Sequence, residues 1–353
     1  MTHIHRRIST VIVGALIAAS CSAAHPAASS PRTGLVDIGA GITGPDGLHA
    51  TVYASGLTHA AVFASDARHR LWVATADYTD AGQDGVYLVS TPNATPVEVI
   101  TGLHTPLGLL WYQGTLYVAA KGGVVAYSDL RGTRFAARRT IVTLPSDVGE
   151  VNNIVLAPDG RMLVGISSPC DHCTPASRYS GSIVSFRPDG RDLQIYASGI
   201  RGPVGLTYVP NTSDLLVTMN QRDDLGAQTT GDALAVVRAG TAWGSPRCYG
   251  QGGAECRGVP STTAVLDQHA AVSGVAILTG RLGSTFGISA IVAEWALGKV
   301  QRVALEKSGG TYRGVVTTFL TGPKNPVAVS MTADGALLVG DWTTGTIYGV
   351  AAS

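Results

Sequence analysis

The segment from residue 220 to residue 232 carries the side chains best suited to hold a metal ion. Asn220 is followed by Asp223 and Asp224, and Asp232 comes after Gly231. Carboxylate and amide oxygens are the ligands that Ca²⁺ takes in proteins. Asn220, Asp223, Asp224 and Asp232 are therefore candidate calcium ligands. The alternative is a solvated acidic loop whose aspartates only build turns.

Glu150 is the candidate catalytic base. It stands directly before the apolar run that begins at Val151. A carboxyl group that is partly removed from water has a raised pKa and can accept a proton near neutral pH. A glutamate on a solvated surface loop is the simpler alternative.

Two acid–tryptophan pairs stand at corresponding places late in the chain. Glu294-Trp295 and Asp341-Trp342 each end a short apolar run. Sugar sites use such rings to stack on the apolar face of a pyranose, because an aromatic side chain offers a large flat apolar area. Trp295 and Trp342 are therefore candidate substrate-stacking residues. Packing between neighbouring sheets is the alternative.

The cysteines indicate an oxidising compartment. Besides Cys21, the chain has Cys170 and Cys173 in a Cys-x-x-Cys motif, and Cys248 and Cys256. An even set of four in an exported protein predicts two local disulfides, Cys170–Cys173 and Cys248–Cys256. Zinc binding that includes His172 is the weaker alternative.

The N-terminus predicts export. Arg6 and Arg7 precede an apolar run that is too short to span a membrane, and small residues then lead to Cys21. This pattern is similar to a bacterial lipoprotein signal over residues 1–21, with Cys21 as the lipidated residue; an ordinary signal peptide is the alternative. Residues 22–48 are expected to be a flexible tether and residues 49–353 the folded domain. We therefore expect an extracytoplasmic protein, either lipid-anchored to the outer face of the membrane or secreted.

Composition and charge narrow the class of protein. Glycine accounts for 44 of 353 residues, and the hydrophobic share is 45% against 14% charged. This is typical of a β-rich globular domain with many tight turns. The formal charge is +1 and becomes −1 when residues 1–20 are removed, because they contain two arginines and no acidic residue. Neither value favours nucleic acid as a partner.

Repeated runs predict the fold. Six copies of a pattern of short apolar runs, often joined by turns such as Pro158-Asp159-Gly160, follow one another at a period of about 45 residues. The last copy lacks a fourth run, while an unpaired strand at residues 50–55 precedes the first copy. These features predict an all-β, six-bladed β-propeller whose last blade is closed by the N-terminal strand. The loops before each innermost strand and those between second and third strands should then share one end of the channel.

Several longer pieces resemble the glucose/sorbosone dehydrogenase family of six-bladed quinoproteins. They are residues 153–165 (NIVLAPDGRMLVG), 199–206 (GIRGPVGL), 220–226 (NQRDDLG), Gly231-Asp232, 243–246 (WGSP) and 248–250 (CYG). The resemblance implies pyrroloquinoline quinone (PQQ) over the channel, a calcium ion, and oxidation of a sugar (an aldose) or a related alcohol. It implies a histidine base before the third inner strand and cationic contacts to the quinone.

Placed on this sequence, the family pattern is partly kept. The position of the histidine reads Gly149, with Glu150 beside it, and the asparagine after Arg201 is replaced by Gly202. The candidate cofactor-binding residues are Arg201, Lys324, Asn325 and Asn153. Sequence therefore supports a PQQ-dependent sugar dehydrogenase and, as an alternative, a non-catalytic propeller that binds a carbohydrate or a protein. A third alternative is a calcium-dependent, lactonase-like hydrolase with ligands drawn from Glu150, Asn152, Asn153, Asn220 and Asn325.

Overall fold

The protein folds as a ring of six antiparallel β-sheets, as the sequence predicts. The computed structural model describes residues 34–250 and 254–353. We number the blades along the chain and name the strands of each from the innermost outwards. Within these residues, no helix is both long enough and apolar enough to cross a membrane.

The first three blades follow one another directly in sequence. Blade one comprises Ala60–Ser65, Leu71–Thr75, Asp84–Val89 and Val97–Leu103; blade two comprises Gly108–Tyr112, Thr115–Ala120, Gly123–Arg131 and Arg134–Thr143; blade three comprises Val151–Leu156, Met162–Ile166, Ser182–Phe186 and Gln194–Ser198, with Thr241–Ala242 added in parallel at its outer edge.

Blades four to six complete the ring, and blades five and six include strands from the N-terminal part of the chain. Blade four comprises Gly202–Tyr208, Leu215–Asn220, Ala233–Val237 and Ala264–Val265; blade five comprises Val272–Ile277, Ser289–Glu294, Lys299–Ser308 and Thr311–Thr321, extended by Ile42–Gly44 and Val36–Gly39; blade six comprises Pro326–Met331, Leu337–Asp341, Thr346–Ala352 and Leu48–Ala54. The short helices are α-helical Gly280–Phe286 and 3₁₀-helical Gly226–Gln228 and Ala254–Cys256.

The N-terminal strand closes the ring. Leu48–Ala54 pairs antiparallel with Thr346–Ala352, from Leu48 opposite Ala352 to Ala54 opposite Ile347. This confirms the predicted closure, in which the N-terminal strand supplies the outermost strand of blade six.

Residues 36–44 differ from the flexible tether that the sequence predicts for residues 22–48. Val36–Gly39 and Ile42–Gly44 form a hairpin against the outer edge of blade five, joined by the pairing of Thr43 with Thr321. Ile38 and Ile42 are buried in the core between blades five and six. Burial of these two apolar side chains stabilises the hairpin against the edge of blade five.

Tight turns and apolar runs explain the strands. Gly160 and Gly335 each have a positive φ at the turn between the first and second strands of blades three and six. Asp-Gly supplies this conformation without steric cost. The second strands Leu71–Thr75 and Met162–Ile166 are buried along their whole length, because neighbouring blades cover both faces of the sheet.

The inner strands approach one another at glycines. A Cβ atom at Gly108 would lie 2.6 Å from the Asn152 carbonyl oxygen, and one at Gly274 would lie 2.7 Å from that of Val327. Gly205 faces the Ser273 carbonyl oxygen in the same way. These contacts draw neighbouring blades together around a narrow channel, and the loops at the end of the channel therefore converge.

Candidate functional site

The cavity at one end of the channel lies where the sequence places it. Its volume is about 580 Å³, which is in the range of small-molecule sites. Its walls combine residues before the innermost strands with residues between second and third strands, which confirms the predicted assignment of loops to one face. The lining residues used below are Asp77, Tyr78, Glu150, Asp171, Arg201, Asn220, Trp295 and Trp342.

One side of the cavity is aromatic. Tyr78 comes from blade one, Trp295 from blade five and Trp342 from blade six, each from the loop after a second strand. The rings of Trp295 and Trp342 are 6.0 Å apart at 78°, and those of Tyr78 and Trp342 are 6.5 Å apart at 54°. We call these three residues the aromatic arc.

The two tryptophans are also anchored in the scaffold. Both pack against a small buried cluster made of Ala61, Ala76, Leu107 and Val327. The Trp342 indole N–H donates to the Ala76 carbonyl at 2.8 Å, and the His59 ring lies 4.3 Å from the Trp342 ring. The two indoles thus pack against the scaffold and also line the cavity; their role in stacking on a substrate stays a prediction.

The opposite side of the cavity is polar and comes from blades three and four. Arg201 precedes the inner strand of blade four, and Asn220 ends the neighbouring second strand. Gly202 and Asn220 are paired in register, so Arg201 and Asn220 are neighbours. The Arg201 Nε and the Asn220 Oδ1 are buried and have no hydrogen-bond partner among the described residues. A buried polar atom without a partner is costly, so an ordered water or a rotation of the side chain would be needed to satisfy these two atoms.

Asp171 organises this polar side, and sequence reasoning missed it. It lies between Cys170 and Cys173, whose predicted disulfide is present, as is Cys248–Cys256. Its Oδ1 accepts from Arg201 at 2.6 Å. Its Oδ2 accepts the backbone N–H groups of Asp223 and Asp224, both at 2.8 Å. The sequence feature that could have identified Asp171 is its position inside the Cys-x-x-Cys loop between the second and third strands of blade three.

Tyr78 was also missed, although it occupies the same loop in blade one that Trp295 and Trp342 occupy in their blades. Its φ is +61°, a left-handed conformation that is unusual for a bulky residue. The pKa of Tyr78 is raised because its hydroxyl is desolvated, although half of the residue's surface is exposed, and because Glu150 and Asp84 lie nearby with negative charge.

Glu150 lies at the cavity, as predicted for the base. Its side chain is exposed, and no hydrogen bond or ion pair holds it among residues 34–250 and 254–353. Its backbone carbonyl accepts from Ser167, which fixes the start of the strand. Glu150 therefore offers a carboxylate that is free to meet a ligand.

Gly149 has no room for a side chain. A Cβ atom there would lie 2.6 Å from the Ser167 carbonyl oxygen and 2.7 Å from that of Ser168. The Gly149 N–H donates to the same Ser167 oxygen at 3.2 Å. The backbone of blade three thus occupies the space in which the family's histidine would begin.

The structure does not bring the predicted calcium ligands together. Asp223 pairs with His269 at 3.0 Å, and Asp224 forms two bonds of 2.6 Å with Arg222. Asp232 is buried and accepts two backbone N–H groups, from Gln221 at 2.7 Å and Val272 at 3.2 Å. In the part of the chain that the structure describes, no group of three or more His, Cys, Asp and Glu side chains could hold a metal ion.

Three of the predicted cofactor-binding residues do not line the cavity. The Asn325 amide donates to the Trp295 carbonyl at 2.9 Å and accepts from the Thr343 hydroxyl at 2.6 Å. Asn153 accepts the Ile154 N–H at 2.8 Å. Lys324 is exposed, and its backbone N–H donates to Asp341. Asn325 and Asn153 hold loops and strands in place; of the predicted cofactor-binding set, only Arg201 is in the cavity wall.

Comparison with known proteins supports the fold. No family model and no curated protein matches the sequence. The holo PQQ domain of a pyranose dehydrogenase from Coprinopsis cinerea is similar, with a TM-score of 0.71 and 15% identity over 88% of this chain and 96% of that chain. The PQQ-bound aldose sugar dehydrogenase from Streptomyces coelicolor has a TM-score of 0.67 and 18% identity over 87% and 100%.

A third similar structure is the apo form of the soluble aldose sugar dehydrogenase from Escherichia coli. Its TM-score is 0.67 and its identity 16%, over 87% of this chain and 100% of that chain. These three structures are sugar dehydrogenases, two of them described with PQQ, as the sequence resemblance led us to expect. At these identities the likeness establishes the six-bladed propeller fold.

The role of Asp232 gives a prediction on stability. Burial raises the pKa of the Asp232 carboxyl from 3.8 to about 6, although its two backbone donors favour the charged form. Because the folded protein holds this proton to a higher pH than the unfolded chain does, the contribution of Asp232 to stability falls as the pH rises from about 4 to about 6. The Asp232→Asn variant lacks this titration.

We therefore expect the difference in free energy of unfolding, wild type minus Asp232→Asn, to decrease by about 1.4 kcal/mol per pH unit or less across that interval. Urea unfolding at several pH values measures it. The subtraction removes the titration of all other groups. A difference that stays constant or grows with pH would show that Asp232 is not the buried, proton-holding carboxyl described above.

Proposed function

We propose that the protein is an extracytoplasmic sugar-binding propeller with the architecture of sugar dehydrogenases, and that it binds a saccharide in the channel-mouth cavity. The observation that supports this is the two-sided lining. The aromatic arc belongs to blades five, six and one, whereas Glu150, Arg201 and Asn220 belong to blades three and four across the ring.

A saccharide matches both sides of the cavity. Its ring presents an apolar C–H face, which rigid indoles such as Trp295 and Trp342 can cover. Its hydroxyl groups both donate and accept hydrogen bonds. Arg201 and Asn220 line the cavity and together carry donors and an acceptor; a small rotation of these side chains would bring the unpartnered Arg201 Nε and Asn220 Oδ1 to neighbouring hydroxyl groups.

The Trp295→Ala variant tests this proposal. We expect it to weaken saccharide binding about tenfold, because the stacking surface is lost. Isothermal titration of the mature protein with a panel of mono- and disaccharides measures the affinity. Tyr249→Ala is the matched control, since Tyr249 is an exposed aromatic residue outside the cavity.

Circular dichroism and thermal unfolding must show that Trp295→Ala is folded. The Trp295→Phe variant, which keeps an aromatic ring, should bind with intermediate affinity. Saccharide binding that is equally strong in the wild type and in Trp295→Ala would refute the assignment of the site.

Oxidation of the bound sugar by PQQ, with Glu150 as its base, is the second candidate function. The observation that favours it is the likeness to structures described with PQQ. The lining residues do not fit this cofactor. PQQ carries several carboxylates, whereas the described residues that line the cavity supply three carboxylates and a single cation, Arg201, which is already paired with Asp171.

We therefore expect that titration of the mature protein with PQQ, with and without Ca²⁺, gives no saturable shift in quinone absorbance and no dye-linked oxidation of aldoses. A saturable shift together with dye reduction would establish the second candidate instead. Saccharide titrations without quinone separate the two, because binding by the first candidate does not need the cofactor.

We also propose a location outside the cytoplasm with a lipid anchor at Cys21, which lies outside the described residues. The two disulfides support an oxidising compartment. Fatty-acid labelling of the protein in a bacterial host should be abolished by Cys21→Ser. Labelling that persists in this variant, or its absence in the wild type, would rule out the anchor.

A further inference from the structure

The charged residues that line the cavity bear on which saccharides it would bind. Among the described residues that line it, Asp77, Glu150 and Asp171 are acidic and only Arg201 is basic. Arg201 and Asp171 are paired at 2.6 Å and offset each other. Asp77 and Glu150 remain, so the cavity carries an excess of negative charge. Such a wall repels uronic acids and sugar phosphates and attracts a cationic group.

The two remaining carboxylates differ in their freedom. The Asp77 carboxylate accepts from the N–H and hydroxyl of Thr79, at 2.9 and 2.8 Å. These bonds lower the pKa of Asp77, so it stays charged near neutral pH. Glu150 has no such partner in the described part of the chain and can move to meet a ligand. Glu150 is therefore the group able to form a new ion pair, and Asp77 adds background charge.

The aromatic arc favours the same kind of ligand. Its three rings are strongly inclined to one another, at 54° and 78°, so a group placed among them meets more than one π-surface. An ammonium group is attracted to such surfaces by the ring quadrupoles. Trp is the most effective ring for this, and two of the three are Trp.

The unpartnered acceptor completes the match. Asn220 Oδ1 is buried without a donor among the described residues, and Glu150 offers two more acceptor oxygens. A protonated amine supplies three N–H donors and needs no acceptor in return. The Glu150 carboxylate is exposed at the cavity, so it is the acceptor that such an amine can reach without moving another side chain.

We propose that the saccharide bound in this cavity carries a free ammonium group, with Glu150 as the residue that recognises it. This inference rests on the proposed sugar-binding function and names its ligand class, an amino sugar with an unacylated amine. A charge-assisted hydrogen bond is stronger than a neutral one. The expected preference over the matching neutral sugar is therefore about tenfold or more.

Four pyranoses that differ mainly in charge test this inference: D-glucosamine, D-glucose, N-acetyl-D-glucosamine and D-glucuronate. They are titrated by calorimetry into the mature protein at a mildly acidic pH that keeps the amine protonated. We expect glucosamine to bind most tightly, both neutral sugars more weakly, and glucuronate least. Added NaCl should weaken glucosamine binding more than glucose binding, because salt screens the ion pair.

Glu150→Gln keeps the shape of the side chain and removes its charge. We expect it to lower the ratio of glucosamine to glucose affinity about tenfold, towards unity. Glu306→Gln is the matched control, since Glu306 is exposed on the outer hairpin of blade five and does not line the cavity. It should leave the ratio unchanged.

The outcomes separate the two proposals. If no member of the series and no other saccharide binds, the proposed function fails and this inference fails with it. If glucose or N-acetylglucosamine binds as tightly as glucosamine, the sugar site stands and the preference for an ammonium group is wrong. A preference that Glu150→Gln leaves unchanged would also overturn the assignment to Glu150.

Discussion

The pairing of Leu48–Ala54 with Thr346–Ala352 is the interaction on which the rest of the molecule depends. Blade six has only three strands of its own from the C-terminal part of the chain, and a ring of sheets cannot close around an incomplete member. Closure also places blades five, six and one across the channel from blades three and four. The aromatic arc faces Glu150, Arg201 and Asn220 for this reason alone, since these residues are far apart in sequence.

Buried carboxylates then hold the loops of the closed ring in place. Asp84 accepts the N–H groups of Asp77 and Thr105, which joins a loop of blade one to the start of blade two. Asp232 does the same between blades four and five. These acids are costly to bury, and two backbone donors each offset that cost. Acidic residues near the channel thus divide into structural ones, which have backbone partners, and Glu150, which has none.

The fold and part of the site can be predicted from the sequence, whereas the binding partners of individual acidic residues cannot. Repeated apolar runs specify the blades, because the second strands of a propeller are covered on both faces by the neighbouring blades. The loops that carry Glu150, Arg201, Asn220, Trp295 and Trp342 follow from that topology. Whether Asp232 meets a metal or two backbone N–H groups depends on Val272, which lies forty residues away in the next blade. The repeat places Asp171 and Tyr78 in loops between second and third strands at the same end of the channel, but the contacts of their side chains depend on residues of other blades.

Gly149 links the fold to the proposed function. Replacing a catalytic histidine by glycine would ordinarily leave a gap that water or another side chain could fill. Here the Ser167 and Ser168 carbonyl oxygens take that space, so the backbone itself has closed over the position. The Glu150 side chain begins one residue later, is exposed and lines the cavity. No hydrogen bond or ion pair holds the Glu150 carboxylate within residues 34–250 and 254–353, so it is free to meet a charged ligand, as we propose. The closed backbone at Gly149 therefore leaves no room for a histidine at this position, and this is the local feature on which the proposed binding function depends.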